Sequence, residues 1–376
     1  MKILFVIDQL DSPNNGTTVS ALRFANGLRE IGHEVYLAGC GKSGEFKYIF
    51  KPIHMLPIAS HIIHSQGMKF SMPNKRNMKD IMRKFDVVHF YTPFFLSISG
   101  LKVAQELNIP HTAAFHVQPE NITYTLNLGK NENVNDWIYD VFRDKFYNQF
   151  THIHCPSNFI ANELKAHGYT AKLHVISNGI SPEFKYQRTA KPEEFKDKFI
   201  IAMVGRYSNE KRQDVLIDAV EKSKYSNNIQ LILAGKGPKE SSYKSRAKKL
   251  KNYPIFNFFN KPELLNVLGY TDLYVHPADA EIEAISCMEA IACGNVPVIS
   301  NSKKSATPQF SLTENSLFES GNSSDLAEKI DFWIEHPELK AKMSVEYAES
   351  MNKYRIENSV KQMEEMFKDA IKESAK

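Results

Sequence analysis

The sequence predicts an α/β protein made of two doubly wound domains, because two sets of alternating strands and helices are separated by a charged segment. The first set starts with the apolar strand KILFVI (2–7) and continues through HEVYLAG (33–39), DVVHFY (86–91) and HTAAFH (111–116). The second set starts with FIIAMVG (199–205) and continues through QLILAG (230–235), DLYVHP (272–277) and VPVIS (296–300). Strands that alternate with amphipathic helices are typical of parallel sheets.

The segment KYQRTAKPEEFKDK (185–198) marks the predicted domain boundary, since it is polar, strongly charged and contains a proline. We therefore expect an N-terminal Rossmann-like domain over residues 1–184 and a C-terminal one over residues 199–356. Residues 357–376 carry a last amphipathic helix, with Val360, Met363, Phe367 and Ile371 on one stripe. This helix could pack on the second domain or return to pack on the first, since either domain is available to cover the stripe.

Composition places the chain among ordinary soluble enzymes. It has 376 residues, of which 42% are hydrophobic and 24% charged, enough for two domains. Its four cysteines lack C-x-x-C spacing, so neither a disulfide scaffold nor a zinc site is predicted. The first apolar run is too short for a signal peptide, and no run approaches the ~20 apolar residues of a membrane span. We therefore expect a cytoplasmic protein.

Three glutamates stand within EIEAISCME (281–289), between two predicted strands. A helix is predicted over residues 284–293 and ends before Gly294. At ~100° per residue, Glu289 lies about 40° from Ile285, on or beside the buried side of this helix. A carboxylate in that position either forms an internal salt bridge or accepts hydrogen bonds from the hydroxyl groups of a ligand.

Glu281 and the start of the same helix supply further groups for a ligand. Glu281 lies at the carboxyl end of a strand, where open α/β sheets bind ligands. The first amides of the helix, around Ala284 and Ile285, would form an anion site. An anion site between two hydroxyl acceptors suits a sugar nucleotide, which carries a sugar, a diphosphate and a ribose.

The segment GRYSNEKRQDVLIDA (205–219) supplies positive charge near this site. Arg206 and Lys211 follow the first strand of the second domain, where two cations would neutralise a diphosphate leaving group without a metal. Gly205, and Gly235 in AGKGPKE (234–240), would allow close approach of the backbone. A solvated basic loop is the alternative interpretation. No D-x-D pair occurs, and we expect neither a metal site nor a cofactor.

These motifs, together with L-x5-L-x3-GHEVYL, HVISNGISPEF and EAIACGNVPVIS, resemble those of the retaining glycosyltransferases of family 4, which have the GT-B fold. The E-x7-E of Glu281 and Glu289 with the upstream G-R-x4-K is specific in combination. The resemblance covers essentially the whole chain. It departs from the family at residues 282–284, where Ile-Glu-Ala replaces the usual Gly-Phe-Gly.

The resemblance implies a role for each matching residue. Arg206 and Lys211 would bind the donor diphosphate, Glu289 the ribose hydroxyls and Glu281 the sugar. In the first domain, His116 would contact the donor sugar and the acceptor, Gly16 would lie near both, and Thr17 would lie near the acceptor. The retaining mechanism needs no protein nucleophile, because the leaving diphosphate oxygen takes the proton of the acceptor hydroxyl. The residues implied to act in catalysis are His116, Arg206, Lys211 and Glu281.

A basic segment, residues 41–84, bears on the acceptor. It holds nine lysines and arginines against two acidic residues, in a chain whose net charge is +4. Interleaved Met, Phe and Ile residues, three histidines (His54, His61, His64) and the nearby aromatic stretch FYTPFFLSISG (90–100) favour docking on an anionic lipid surface. A solvated basic face is the alternative. Nucleic acid is a poorer interpretation, because no recognised nucleic-acid fold signature accompanies the charge.

We therefore predict a retaining, metal-independent hexosyltransferase that uses UDP-glucose or UDP-galactose and makes an α-glycolipid from a diacylglycerol or ceramide, peripherally on the inner face of the cytoplasmic membrane. A capsular or cell-wall polysaccharide transferase is the main alternative. A nucleotide-sugar epimerase and a non-catalytic sugar-nucleotide-binding protein remain open, whereas a dinucleotide oxidoreductase is disfavoured because DSPNNGTT lacks G-x-G-x-x-G.

Overall fold

A computed structural model describes residues 1–11, 16–53, 69–126 and 128–375. The chain forms two compact units: Met1–Gly179 with Ile356–Lys376, and Ile180–Arg355. Residues 185–198, which the sequence suggests as a linker, fall inside the second unit. There the Lys191 ammonium lies 2.5 Å from a carboxylate oxygen of Asp272.

The first unit contains a seven-stranded sheet in the order β3-β2-β1-β4-β5-β6-β7, and all its pairings are parallel. The strands are β1 (Lys2–Gln9), β2 (Glu34–Cys40), β3 (Lys47–Ile49), β4 (Val87–Phe90), β5 (His111–Ala114), β6 (His152–Cys155) and β7 (Lys172–Val175). Its central strands are apolar along their length because both faces of a parallel sheet are covered.

The helices of the first unit are α1 (Gly16–Glu30), α2 (Lys75–Met82), α3 (Phe95–Glu106), α4 (Pro119–Thr125), α5 (Glu132–Lys145) and α6 (Asn158–Ala166), followed at the end of the chain by α13 (Ile356–Ser374). The helix α13 packs on this unit, with Val360, Met363 and Phe367 in the same apolar core as Phe5 and Phe24. Its hydrophobic stripe is therefore covered by the first unit.

The second unit contains a six-stranded parallel sheet in the order β10-β9-β8-β11-β13-β15. Its strands are β8 (Phe199–Val204), β9 (Ile229–Ala234), β10 (Ile255–Asn257), β11 (Leu273–His276), β13 (Pro297–Ser300) and β15 (Leu317–Phe318). Two further strands, β12 (Ala280–Glu281) and β14 (Lys304–Ser305), pair with each other in a separate small ladder.

The helices of the second unit are α7 (Gln213–Lys222), α8 (Glu240–Arg246), α9 (Lys261–Tyr270), α10 (Ile285–Ala292), α11 (Ser323–Glu335) and α12 (Pro337–Ser350). The prediction of two parallel α/β sheets is confirmed. In the described part of the chain, no helix combines the length and the apolar composition that a membrane crossing requires.

Candidate functional site

The candidate site of the second unit lies where the strand order of its sheet reverses. The strand β8 pairs with β9 on one side and with β11 on the other. Loops that leave the carboxyl ends of such neighbouring strands diverge and form a crevice. The loop after β8 carries Gly205, Arg206 and Lys211, and the loop after β11 carries Glu281.

Lys211 and Glu281, which the sequence predicts separately, contact each other directly. The Lys211 ammonium donates to the Glu281 carboxylate, and Nε2 of His276 lies 3.0 Å from the same oxygen. Burial alone raises the pKa of Glu281, but Lys211 and His276 outweigh it and lower the pKa to about 2. Glu281 is therefore an ionised acceptor between two donors.

His276 is a site residue that the sequence analysis missed. It ends β11 and is almost fully buried, and the Tyr274 hydroxyl lies 3.4 Å from its Nδ1 atom. The same hydroxyl is 3.4 Å from the Val204 carbonyl oxygen, which also accepts a 3.0 Å hydrogen bond from Ser286. The available signal was a histidine at a strand end, five residues before the glutamate that the sequence analysis had already singled out.

Arg206 has a carboxylate neighbour of its own. Its guanidinium lies 3.5 Å from Oε1 of Glu210, and Glu210 also accepts a 2.5 Å hydrogen bond from Ser208. The Arg206 carbonyl oxygen accepts a 2.8 Å hydrogen bond from Gln213, which fixes the backbone at this point. Both proposed cations thus lie against internal carboxylates.

The glycines predicted at the site permit close backbone contacts. A Cβ atom on Gly235 would lie 2.0 Å from the carbonyl oxygen of Gly205, and one on Gly237 would lie 2.3 Å from that of Tyr207. Gly205 itself has more room, since the nearest atom to a Cβ there is 4.0 Å away on Lys211. The requirement for glycine is therefore steric at Gly235 and Gly237.

The helix α10 begins at Ile285, one residue after the predicted start, and Gly294 follows it in a left-handed conformation. Ala284 precedes the helix with φ 65° and supplies no side-chain cap. A non-glycine residue in this conformation is strained, and such residues cluster at functional sites. Glu289 lies within α10 and is 8% exposed, on the buried side as its helical position predicts.

The remaining predicted site residues belong to the first unit. Gly16 and Thr17 open α1, and residues 12–15 of the preceding loop lie outside the described ranges. His116 follows β5 and is 4% exposed, with its ring 5.3 Å from that of Tyr91 and 5.2 Å from that of His154. Burial, with the neighbouring histidines, lowers the pKa of His116 well below its ordinary value, so this ring is neutral.

Within the described ranges, no group of three or more His, Cys, Asp and Glu side chains is arranged to hold a metal ion. All four cysteines are buried and free.

Two family models match consecutive parts of the chain. Residues 14–184 match the model described as Glycosyltransferase Family 4, and residues 185–351 match Glycosyl transferases group 1. The chain is a family 4 glycosyltransferase. The resemblance stated from the sequence motifs is therefore confirmed.

Proteins of known function and structure agree with this assignment. The alpha-monoglucosyldiacylglycerol synthase of Acholeplasma laidlawii is 24% identical over 96% of this glycosyltransferase and 95% of the relative. The Streptococcus pneumoniae enzyme of the same name is 23% identical, over 80% of this chain and 71% of the relative. Anabaena HepE in complex with UDP-glucose superposes with a TM-score of 0.76 at 17% identity, over 98% of this chain and all of that one. The GT-B fold is thereby confirmed.

Proposed function

We propose that this glycosyltransferase moves glucose or galactose from a UDP-sugar to the hydroxyl group of a membrane lipid, with retention of the anomeric configuration. The observation that carries the donor half is the cluster of Lys211, Glu281 and His276 at the strand-order reversal of the second sheet, with Arg206 in the same loop as Lys211. The name of the two synthases supports the acceptor half, because both are glucosyldiacylglycerol synthases.

In this proposal, Arg206 and Lys211 bind the diphosphate and stabilise its developing charge as it leaves. Glu281, ionised at neutral pH, accepts hydrogen bonds from the sugar hydroxyls, and Glu289 accepts those of the ribose. The amides around Ala284 and Ile285 face the phosphates. Solved structures of HepE contain UDP and UDP-glucose, which supports the choice of nucleotide.

No protein base is required in this mechanism. The acceptor hydroxyl attacks the anomeric carbon from the face that the nucleotide leaves, and its proton passes to the departing diphosphate oxygen. His116 contributes as a neutral ring that exchanges a hydrogen bond with the sugar, since its pKa lies far below neutrality. Gly16 and Thr17 lie on the side of the acceptor. Catalysis therefore rests on positioning and on charge stabilisation, without a metal.

The basic segment is less charged at its surface than the sequence count indicates. Lys75 and Lys79 of α2 lie 2.5 and 2.6 Å from the Glu106 carboxylate, whose pKa their hydrogen bonds lower to about 2. Arg76 and Arg83, on the same short helix and just after it, are exposed. Lys69 and Lys84 are exposed as well, and from this group we assign the two arginines to an anionic membrane surface.

Apolar side chains lie in the same part of the chain as these arginines. Met72 is 48% exposed and Phe95 is 46% exposed. The ring of Phe70 lies 4.8 Å from that of Phe94 and 5.7 Å from that of Phe95, so one cluster joins the segment before α2 to the start of α3. Apolar and basic residues together favour binding at a lipid interface. His54, His61, His64 and the apolar residues among them lie outside the described ranges.

The donor assignment is tested by calorimetric titration with UDP. Loss of hydrogen bonds to a charged group costs about 1.5–3 kcal/mol, so Glu289→Ala should weaken UDP binding by roughly 10- to 100-fold. Glu346→Ala, an exposed change on α12, is the control and should bind UDP as the wild type does. Equal affinity for UDP in the Glu289 variant would remove the ribose assignment.

The acceptor assignment is tested by transfer of labelled glucose or galactose in the presence of a chelator. Diacylglycerol, ceramide and a sterol are offered in liposomes with and without anionic phosphatidylglycerol. We expect an α-linked glycolipid and binding to the anionic liposomes that falls as salt rises. Arg76→Ser with Arg83→Ser should reduce that binding. Transfer to an oligosaccharide but to no lipid would establish the polysaccharide alternative instead, and donor conversion without any acceptor would indicate an epimerase.

A further inference from the structure

Arg212, which follows Lys211, combines an unusual backbone with a fully engaged side chain. Its φ and ψ are 54° and 40°, in the left-handed region. Among the described residues, the other non-glycine positions with positive φ are Phe46, Asn108 and Ala284. Two of these four strained residues therefore flank the Lys211–Glu281 pair, one next to the lysine and one three positions after the glutamate. Backbone strain of this kind persists only where surrounding contacts hold it.

The Arg212 guanidinium joins two separate parts of the second unit. Its Nη1 atom lies 2.8 Å from Oδ2 of Asp279, while Nε and Nη2 lie 3.2 and 3.3 Å from the two carboxylate oxygens of Asp214 at the start of α7. The planar fork of arginine makes such a double attachment possible, whereas the single ammonium of lysine does not reproduce it.

Asp279 is itself tied to several neighbours. It is 5% exposed, its carboxylate accepts a 3.1 Å hydrogen bond from Ser320, and its carbonyl oxygen accepts a 2.6 Å bond from Ser302. Its amide donates to the Glu210 carbonyl oxygen at 2.8 Å. The residue thus fixes the loop that leads from β11 into β12, which contains Glu281.

Two parallel ion pairs result. Lys211 and Arg212 are consecutive residues of the loop after β8. Lys211 pairs with Glu281, and Arg212 pairs with Asp279, two positions earlier in the segment after β11. The first pair contains the proposed ligand groups, so in the proposed function a bound diphosphate competes with Glu281 for the Lys211 ammonium. The second pair contains no proposed ligand group, so the diphosphate does not compete for it.

We propose that Arg212 and Asp279 form a positioning pair, which keeps the Lys211 loop and the Glu281 loop in register after the donor has separated Lys211 from Glu281. This inference rests on the proposed function, because it assumes that the diphosphate binds Lys211. It assigns neither residue a contact with the substrate.

The test is Arg212→Gly, because glycine adopts a left-handed conformation without strain and lacks the side chain that contacts Asp279 and Asp214. Displacement of reacting groups by about 1 Å lowers rates by up to ~100-fold, so we expect kcat to fall by roughly 10- to 100-fold. The dissociation constant for UDP should change by less than about threefold, because Glu289 and the amides of α10 remain. Arg212→Lys should restore kcat only in part.

Arg246→Ala is the matched control, since Arg246 forms a comparable pair with Asp218 in the same unit, with Nε 2.7 Å from Oδ1. It should leave kcat unchanged. Hydrogen exchange of the peptide that spans residues 279–284 is measured in all variants without any substrate. We expect faster exchange in Arg212→Gly than in the wild type or in Arg246→Ala.

The outcomes separate the two proposals. Unchanged exchange in Arg212→Gly, or a wild-type kcat in that variant, would overturn the positioning pair. The melting temperature of both Arg212 variants is measured as well. If it falls in proportion to the loss of kcat in each variant, the pair serves stability alone and the positioning role is overturned. A third outcome combines faster exchange in Arg212→Gly with a wild-type protein that neither binds UDP nor transfers a sugar. That result would support the pairing of the two loops but refute the proposed donor.

Discussion

Replacing Lys211 by methionine tests whether the Lys211–Glu281 pair is a balanced buried ion pair. Methionine fills the space of the lysine stem but carries no charge. Among the residues that the structure describes, His276 is then the partner left at the carboxylate oxygen that it shared with Lys211. A buried carboxylate that loses its cation either costs free energy or takes up a proton. We therefore expect the variant to be less stable than the wild type at pH 7.

The magnitude follows from the pKa of Glu281, which is lowered from an ordinary 4.5 to about 2. That depression corresponds to about 3 kcal/mol of folding free energy, and removal of one partner from a buried pair costs a similar ~3–5 kcal/mol. The contribution is present above pH 4.5 and is lost as the pH falls towards 2. In the variant, this dependence on pH should be largely absent.

The assay is differential scanning calorimetry from pH 7 to pH 3. At about 2–4 °C per kcal/mol for a unit of this size, the expected fall in melting temperature at pH 7 is ~6–12 °C. Adding Glu281→Gln should recover part of it, because no buried charge is then left without a partner. Lys224→Met, which breaks the exposed pair with Glu335, should change little. An unchanged melting temperature in the Lys211 variant would refute the reasoning.

Three further changes test separate features. Gly235→Ala should destabilise the protein severely, because its Cβ atom would lie 2.0 Å from the Gly205 carbonyl oxygen. In the control Gly44→Ala, the nearest atom to the new Cβ is 3.7 Å away, so the change should be neutral. Thermal melts distinguish the two variants. Burial raises the pKa of Asp8 from 3.8 to about 6, so the folded protein should lose stability as the pH rises from 4 to 6 and this carboxyl group ionises. Asp8→Asn should abolish that loss of stability. Glu281→Gln should bind UDP at least as tightly as the wild type while transfer falls roughly tenfold or more; weaker UDP binding would contradict this.

The sheets were predictable because their strands are buried on both faces. Runs such as FIIAMVG and QLILAG carry a continuous apolar signal that depends only on local sequence. The strands β12 and β14 carry no such signal, being two residues long and partly polar. They exist because the Glu281 carbonyl oxygen accepts a hydrogen bond from Ala306 and thereby aligns the two segments.

The unit boundary was less predictable for a similar reason. Charge and proline in residues 185–198 indicate a surface segment, and surface segments often link domains. Here, however, Lys191 pairs with Asp272, and the Gln187 side chain donates to the Leu265 carbonyl oxygen at 3.1 Å. These contacts span about eighty residues and attach the segment to the second unit.

Charge pairing was the least predictable property of the candidate site. The sequence shows that Lys211 and Glu281 are present, but their seventy-residue separation hides that each neutralises the other. The same applies to Lys75 and Lys79, whose partner Glu106 lies outside the basic segment. Counting charges along a chain therefore overstates the electrostatic potential of the folded surface. Residue roles assigned from motifs likewise leave out the internal partners with which a ligand competes.

Those internal partners have a consequence for the proposed reaction. A complete UDP-sugar offers Lys211 a diphosphate and offers Glu281 a sugar hydroxyl, so both members of the pair exchange one partner for another at the same time. UDP alone takes the lysine and leaves Glu281 with His276, a buried carboxylate with less compensation than before. The site should therefore discriminate in favour of the intact donor over its product. If the proposed donor site is correct, re-formation of the Lys211–Glu281 pair after transfer would oppose retention of UDP, so the residues that bind the donor would also promote release of the spent nucleotide.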